Sequence, residues 1–274
     1  MKINRSVEII WHIIFMFTVV ILIFPIIYAF GMSFKPLQDA YNNVLNIMPF
    51  NPTLENYLTL FDTVPVIKIT MNTFVIATVV TIFKLVNSFL AAYAFVYFDF
   101  KGKNLLYFLL ISTIFIPFTV TMIPNYLIVS EIGLLDSVWG VILPQLADAI
   151  GIFLIRQSMK NIPVSLIEVA RLENIGHFRI MKDIVLPLVR PAVTSVGIWF
   201  FITTWNEFVW PVLILKTTDN YTLPLALQMF ISAEGGTNFT VAMAVSVITM
   251  IIPLILYLSF QKYIIGTFTS SGIK

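Results

Sequence analysis

Residues 10–32 read I-W-H-I-I-F-M-F-T-V-V-I-L-I-F-P-I-I-Y-A-F-G-M, an apolar run long enough to cross a bilayer as a helix. Similar runs follow at about 72–97, 105–129, 138–155, 184–215 and 240–262. The prolines within them, such as Pro117, Pro124, Pro187, Pro191 and Pro211, are acceptable in membrane helices, where neighbouring groups re-satisfy the freed carbonyls. Composition agrees with this reading. Across 274 residues 59% are apolar and only 11% charged, and mean hydropathy is +0.94. A soluble chain so poor in charge would expose large apolar patches. A soluble enzyme, a disordered tail, a coiled coil and a collagen-like fibre are therefore excluded. The expected fold is an all-α integral membrane protein with six transmembrane helices in a single domain, residues 1–274.

The first run follows Lys2 and Arg5, as a signal peptide would, but its core exceeds the usual 7–15 residues or so and no A-x-A-like site follows. It is expected to be retained. Basic residues orient the set. An inside N-terminus places Lys2, Arg5, Lys101, Lys103, Arg156, Lys160, Arg171, Arg179, Lys182, Arg190, Lys262 and Lys274 in the cytoplasm, against Lys35, Lys68 and Lys216 outside. Both termini are then cytoplasmic in a multi-pass plasma (inner) membrane protein.

Net charge is +2, which suggests no nucleic-acid partner, and there is no cysteine. Disulfides, thiolate metal sites and cysteine nucleophiles are excluded. The histidines, His12 and His177, have no metal-ligand spacing, so no metal and no cofactor is expected on this chain. No G-x-x-x-x-G-K-[ST] occurs either, so any ATP hydrolysis belongs to a partner.

The longest inside loop, with a segment at 161–183, carries Arg156, Lys160, Arg171, Arg179 and Lys182, five of the twelve cytoplasmic basic residues. In it Ser165 and Glu168 have the spacing of a capping box after Pro163, and Leu166, Val169 and Ala170 share one helical face. Asn174 and Gly176 punctuate a stop before a second helical stretch running into Pro187. Physical pattern alone leaves two readings open, a helix lying on lipid headgroups or a docking helix.

Glu168-Val-Ala170-Arg-Leu-Glu173-Asn174, followed by Leu186-Pro187 and Pro191, resembles the E-A-A loop of ABC importer permeases. Ser33-Phe-Lys35, Asn56-Tyr57, Ala91-Ala-Tyr-Ala-Phe95, Phe100-Lys-Gly-Lys103, Met122-Ile-Pro124, Gly133-Leu-Leu, Trp139-Gly140, Trp205-Asn206-Glu207 and Gln261-Lys-Tyr263 are similar to the carbohydrate-uptake branch in order and spacing. The maltose-type second permease matches best. Val169 adds bulk where the family has alanine. Asn174 stands where it has glycine, and asparagine tolerates positive φ better than most residues.

The resemblance implies a permease subunit of an ATP-driven, binding-protein-dependent carbohydrate importer, with a cytoplasmic coupling helix, residues 165–176, between spans four and five. Ser165, Glu168, Ala170, Arg171, Glu173, Asn174 and Gly176 would couple to an ATPase. Implied partners are a second homologous permease, two ATPase subunits carrying ATP and Mg, an extracellular or periplasmic sugar-binding protein, and membrane lipid. The binding protein would meet Glu234, Gly235 and Gly236 in the loop before span six.

Ionisable groups within spans are costly and mark candidate pathways. Lys84, Asp148 and Glu207 are such groups, and Trp205 and Asn206 beside Glu207 suit sugar recognition. Each has a structural alternative. Lys84 can snorkel or pair with a carboxylate of another chain, Asp148 can bond backbone amides, and residues 205–207 can lock a broken helix. An ion-driven secondary transporter or channel is the competing function, but no inverted repeat is apparent. An intramembrane protease lacks its second aspartate, or its histidine beside a G-x-S-G turn.

Overall fold

A computed structural model describes residues 5–44, 46–231 and 238–270, with side chains over 7–44, 46–231 and 238–261. The helices are α1 (Arg5–Ser33), α2 (Leu37–Asn42), α3 (Glu55–Thr63), α4 (Val66–Tyr97), α5 (Lys103–Ser112), α6 (Phe118–Glu131), α7 (Val138–Ile142), α8 (Ala149–Lys160), α9 (Val164–Leu172), α10 (His177–Arg179), α11 (Leu186–Trp205), α12 (Val209–Ile214), α13 (Leu223–Ile231) and α14 (Phe239–Ser270). No strand occurs among the described residues.

Four stretches are long and apolar enough to cross a membrane: Val7–Ser33, Val66–Tyr97, His177–Ile214 and Phe239–Gln261. Two bent pairs raise the number to as many as six. One is Lys103–Phe115 with Phe118–Glu131, bent by 98°, and the other is Val138–Gln145 with Ala149–Lys160, bent by 45°. The third and fourth apolar runs are thus broken elements and not straight rods. Pro117 explains the first break, because it forces Ile116 into an extended conformation and cannot donate to the preceding turn. The helix of the second apolar run, α4, begins at Val66, ahead of the expected 72, and contains neither proline nor glycine.

The chain divides into two compact units, Met1–Val66 with Leu223–Ile252, and Ile67–Thr222 with Pro253–Lys274. In the first, Ser33-Phe-Lys35 and Asn56-Tyr57 form one buried network. Asn56 Nδ2 donates to the Ser33 and Lys35 carbonyls at 2.8 and 2.7 Å, and its Oδ1 accepts from Thr240 Oγ1 at 2.8 Å. Lys35 is fully buried, and its ammonium donates to the Asn43 carbonyl at 3.0 Å and to that of Asn46. A buried cation is tolerable where carbonyl dipoles replace its water. Most of α1 is exposed and apolar, a surface suited to lipid or another membrane helix.

In the second unit α11 packs along α8 and joins α10 through a π-helical turn, Ile180–Val185. Its core gathers Ala92, Tyr93, Ile155, Met159, Ile167, Ala170, Ile180, Val185 and Phe200. Gly151 meets the Phe200 ring and the Ser88 hydroxyl, where no Cβ could fit without displacing them.

Candidate functional site: a docking helix and two polar centres

Asn161 caps the end of α8, and only Ile162 and Pro163 separate it from the first residue of α9. The chain re-enters helix at Val164 with Pro163 at the N-cap and no side-chain cap bond. The expected capping box between Ser165 and Glu168 is therefore not formed, because helix entry at Val164 leaves Ser165 within the first turn. Both side chains are exposed.

The buried face of α9 is Ile167 and Ala170, at 2% and 3% exposure. This corrects the expected stripe of Leu166, Val169 and Ala170, of which only Ala170 faces the core. Leu166 and Val169 point outward, as do Val164, Leu172 at 82% and Phe178 at 76% exposure. The helix thus buries one apolar face and leaves a second apolar face exposed.

The end of α9 is closed by a Schellman motif. The Ile175 N–H bonds the Ala170 carbonyl and the Asn174 N–H bonds that of Arg171, both at 3.0 Å. Asn174 takes φ +57°, the left-handed conformation glycine normally supplies there. Gly176 has an ordinary φ of −67° and is the N-cap of α10, while Glu173 is the C-cap of α9. Arg171 Nη2 donates to the Tyr97 carbonyl at 2.7 Å, at the C-terminus of α4 where the helix dipole favours a cation. His177 adds a second tie, with Nδ1 2.9 Å from the Tyr93 hydroxyl and the ring 4.5 Å from that of Phe98. Sequence reasoning missed Tyr93, Tyr97 and His177 in this role, since nothing local pairs them.

The first polar centre lies around Lys84. Its Nζ is 3.4 Å from Asp148 Oδ2, and the side chains are only 12% and 20% exposed. The carboxylate is thus supplied by this chain and not by another. The ammonium also lies 5.1 Å from the centre of the Phe200 ring. The other Asp148 oxygen accepts the Gly151 N–H at 3.0 Å and caps α8. One turn along α4, Asn87 Nδ2 donates to the Leu146 carbonyl at 2.9 Å.

Residues 205–207 close α11. Trp205 is fully buried and stacks on Phe201 with ring centroids 5.7 Å apart. Asn206 is exposed, and its amide donates back to the Ile202 carbonyl at 2.8 Å. Glu207 is half-buried and accepts the Trp210 N–H at 3.3 Å, which starts α12. These three thus shape the helix break and leave Asn206 and part of Glu207 accessible. Glu234, Gly235 and Gly236 lie outside the described residues.

The second polar centre is Asp136, at φ +56° in the turn between α6 and α7. Its carboxylate accepts the Lys216 and Thr217 N–H groups at 2.8 and 3.0 Å and the Thr217 hydroxyl at 3.0 Å. Asn220 donates to its carbonyl at 2.6 Å. Burial opposes ionisation, but the Thr217 and Lys216 amides, with the Asn220 and Thr217 side chains, outweigh it and hold the carboxyl at about 2 against 3.8. Lys68 pairs with Asp219 at 2.7 Å, and Asn72 donates to the Asp219 and Tyr221 carbonyls, so α4 is bound to the same loop.

No protein-family model matches the chain. The arabinooligosaccharides transport system permease protein AraQ of Halalkalibacterium halodurans is 30% identical over 263 residues, 95% of this chain and 94% of that one. The sn-glycerol-3-phosphate transport system permease protein UgpE of Brucella abortus is 31% identical over 257 residues, 91% of each. Among solved structures, a bacterial ABC transporter involved in import of the acidic polysaccharide alginate has a TM-score of 0.84 at 23% identity, covering 96% of this chain and 99% of that one. A bacterial alginate ABC transporter in complex with alginate pentasaccharide-bound periplasmic protein gives 0.66 at 15% identity, over 95% and 96%. With such identity over nearly its whole length, the chain belongs to the permease subunits of the carbohydrate-uptake ABC importers.

Proposed function

We propose that this chain forms half of the translocation pathway of an ATP-driven, binding-protein-dependent importer and takes its motion from an ATPase docked on α9. The outward apolar face of Leu166, Val169, Leu172 and Phe178 carries the proposal, since Ile167 and Ala170 already satisfy the inward face. Exposed Ser165, Glu168, Arg171 and Glu173 surround it with polar groups, as an interface rim requires. Asn174 and Gly176 shape the turn that fixes this helix on the chain. ATP and Mg belong to the partner, two copies of which serve the pair of permeases. The chain catalyses no chemistry and gates a pathway by alternating access.

In this reading the two bent pairs each count as one span, giving six, with α9 and both termini in the cytoplasm. Asn206 and Glu207 offer polar groups to the cargo, Trp205 holds their backbone, and Lys84 and Asp148 belong to the pathway wall. A sugar or sugar derivative is the cargo, in keeping with the relatives, and an external binding protein delivers it. Contact with that protein through Glu234, Gly235 and Gly236 belongs to the same proposal.

Glu168→Lys, made in the complete complex, tests the docking. Reduced ATPase recovery with unchanged permease level is the expected result. Full recovery together with undiminished transport would remove α9 as the docking site.

A further inference from the structure

The polar side chains of α4 divide into two groups with different attachments. Near its C-terminus, Tyr97 accepts Arg171 of α9 and Tyr93 meets His177 of α10. In its middle, Lys84 pairs with Asp148 and Asn87 bonds Leu146, the last and first residues of the 45° break before α8. About 20 Å of helix separates Tyr97 from Lys84 at 1.5 Å per residue. Nothing along it invites bending, because α4 has neither proline nor glycine. The α6, α11 and α14 helices each contain a proline.

We propose that α4 is a stiff rod that carries displacement of the α9 segment to the break between α7 and α8, with Lys84 and Asn87 as its positioning residues. Coupling of this kind runs through packed and hydrogen-bonded groups that are continuous in space. The Lys84–Asp148 pair suits the task because both charges are largely removed from water, where an ion pair is screened least. Asp148 joins the rod to the α8 N-terminus directly, since one oxygen faces Lys84 and the other holds the Gly151 N–H. The Phe200 ring beside Lys84 and against Gly151 fills the space between the two helices. Both charges are satisfied within the chain, so the pair supports the pathway wall and does not contact cargo.

The inference rests on the proposed docking of an ATPase to α9. The test uses the assembled complex in nanodiscs, with spin labels at Trp139→Cys and Leu154→Cys, exposed positions on either side of the break. This chain has no native cysteine to interfere, and cysteine-free partner chains complete the design. Mg-ATP with vanadate is the only probe added. The expected result is an interlabel distance that shifts on trapping. The variant Lys84→Met/Asn87→Leu/Asp148→Asn leaves no unpaired charge and keeps an amide oxygen to cap α8. It is expected to assemble and hydrolyse ATP within about twofold of the parent while losing at least two thirds of the shift. Lys84→Arg is expected to keep the shift.

An undiminished shift in the triple variant would overturn the proposal. So would a parent complex that hydrolyses ATP without moving the break, or a triple variant that does not assemble. A parent chain that recruits no ATPase would instead remove the docking reading on which the inference stands.

Discussion

The α9 segment and the Asp136 turn are both short, solvent-facing pieces of the same unit, and they are built in opposite ways. The Asp136 turn uses its own groups up. Its carboxylate accepts two backbone amides and a hydroxyl, its carbonyl takes the Asn220 amide, and its N–H bonds the Ile214 carbonyl at 2.8 Å. The α9 segment satisfies its backbone and inner face, then leaves Leu166, Val169, Leu172 and Phe178 outside. A self-satisfied turn sets loop geometry. An apolar face left outside is what the proposed ATPase docking needs.

The largest effect should come from charging the unfinished face. Leu166→Asp with Val169→Asp is expected to lower recovery of the ATPase with the permease at least tenfold, as hot-spot loss of about 2 kcal/mol or more would do. Permease abundance should stay near that of the parent, because neither side chain is in the core. Quantitative co-purification reads this. Equal recovery would mean that the face meets lipid instead.

Asn174 comes next. Valine there must adopt φ +57° with a β-branched side chain, at a cost of about 1–2 kcal/mol. Lower thermal stability and weaker ATPase recovery are expected together, whereas Asn174→Gly should match or exceed the parent in both. Asp136→Ala should cost about 1 kcal/mol through the backbone donors it frees, seen as earlier unfolding with ATPase recovery unchanged. A loss of recovery would blur the contrast between the two regions.

The smallest effect is a pH dependence. Asp136 sits at about 2 in the folded chain against 3.8 free. A depressed carboxyl stabilises fully above its unfolded value and loses that contribution as pH falls through the folded one. The parent should therefore lose stability between about pH 4 and pH 2 more steeply than Asp136→Asn. Parallel curves would show that the turn's hydrogen bonds do not depend on the charge.

Much of this fold was readable because apolar runs state their own length. The positive φ at Asn174 came from the E-A-A resemblance, whereas four membrane-length helical stretches and the helix at α9 came from local pattern. Breaks and pairings did not. The 98° bend at Pro117 depends on how the halves pack, since proline is compatible with a merely kinked helix. The S-x-x-E pattern failed at Ser165 because Asn161 ends α8 too close by, so α9 must begin at Val164. Lys84 announced itself as costly, but its partner Asp148 lies in a different helix pair, and no periodicity connects them. The φ of Asp136 had no local signal either, since its partners lie in the loop after α12. Of the candidate pathway residues, Trp205 turned out fully buried and Asn206 exposed, a division that residue type does not reveal.

The central claim is that this chain is moved by an ATPase seated on α9, and copurification tests it most directly. The tagged chain is extracted in mild detergent from its host, and accompanying chains are identified by mass spectrometry. A P-loop ATPase and a second multi-span permease should accompany the parent, with the ATPase alone lost from the Leu166→Asp/Val169→Asp variant. Recovery of the folded, intact chain by itself, or an ATPase that stays bound to the variant, would contradict it.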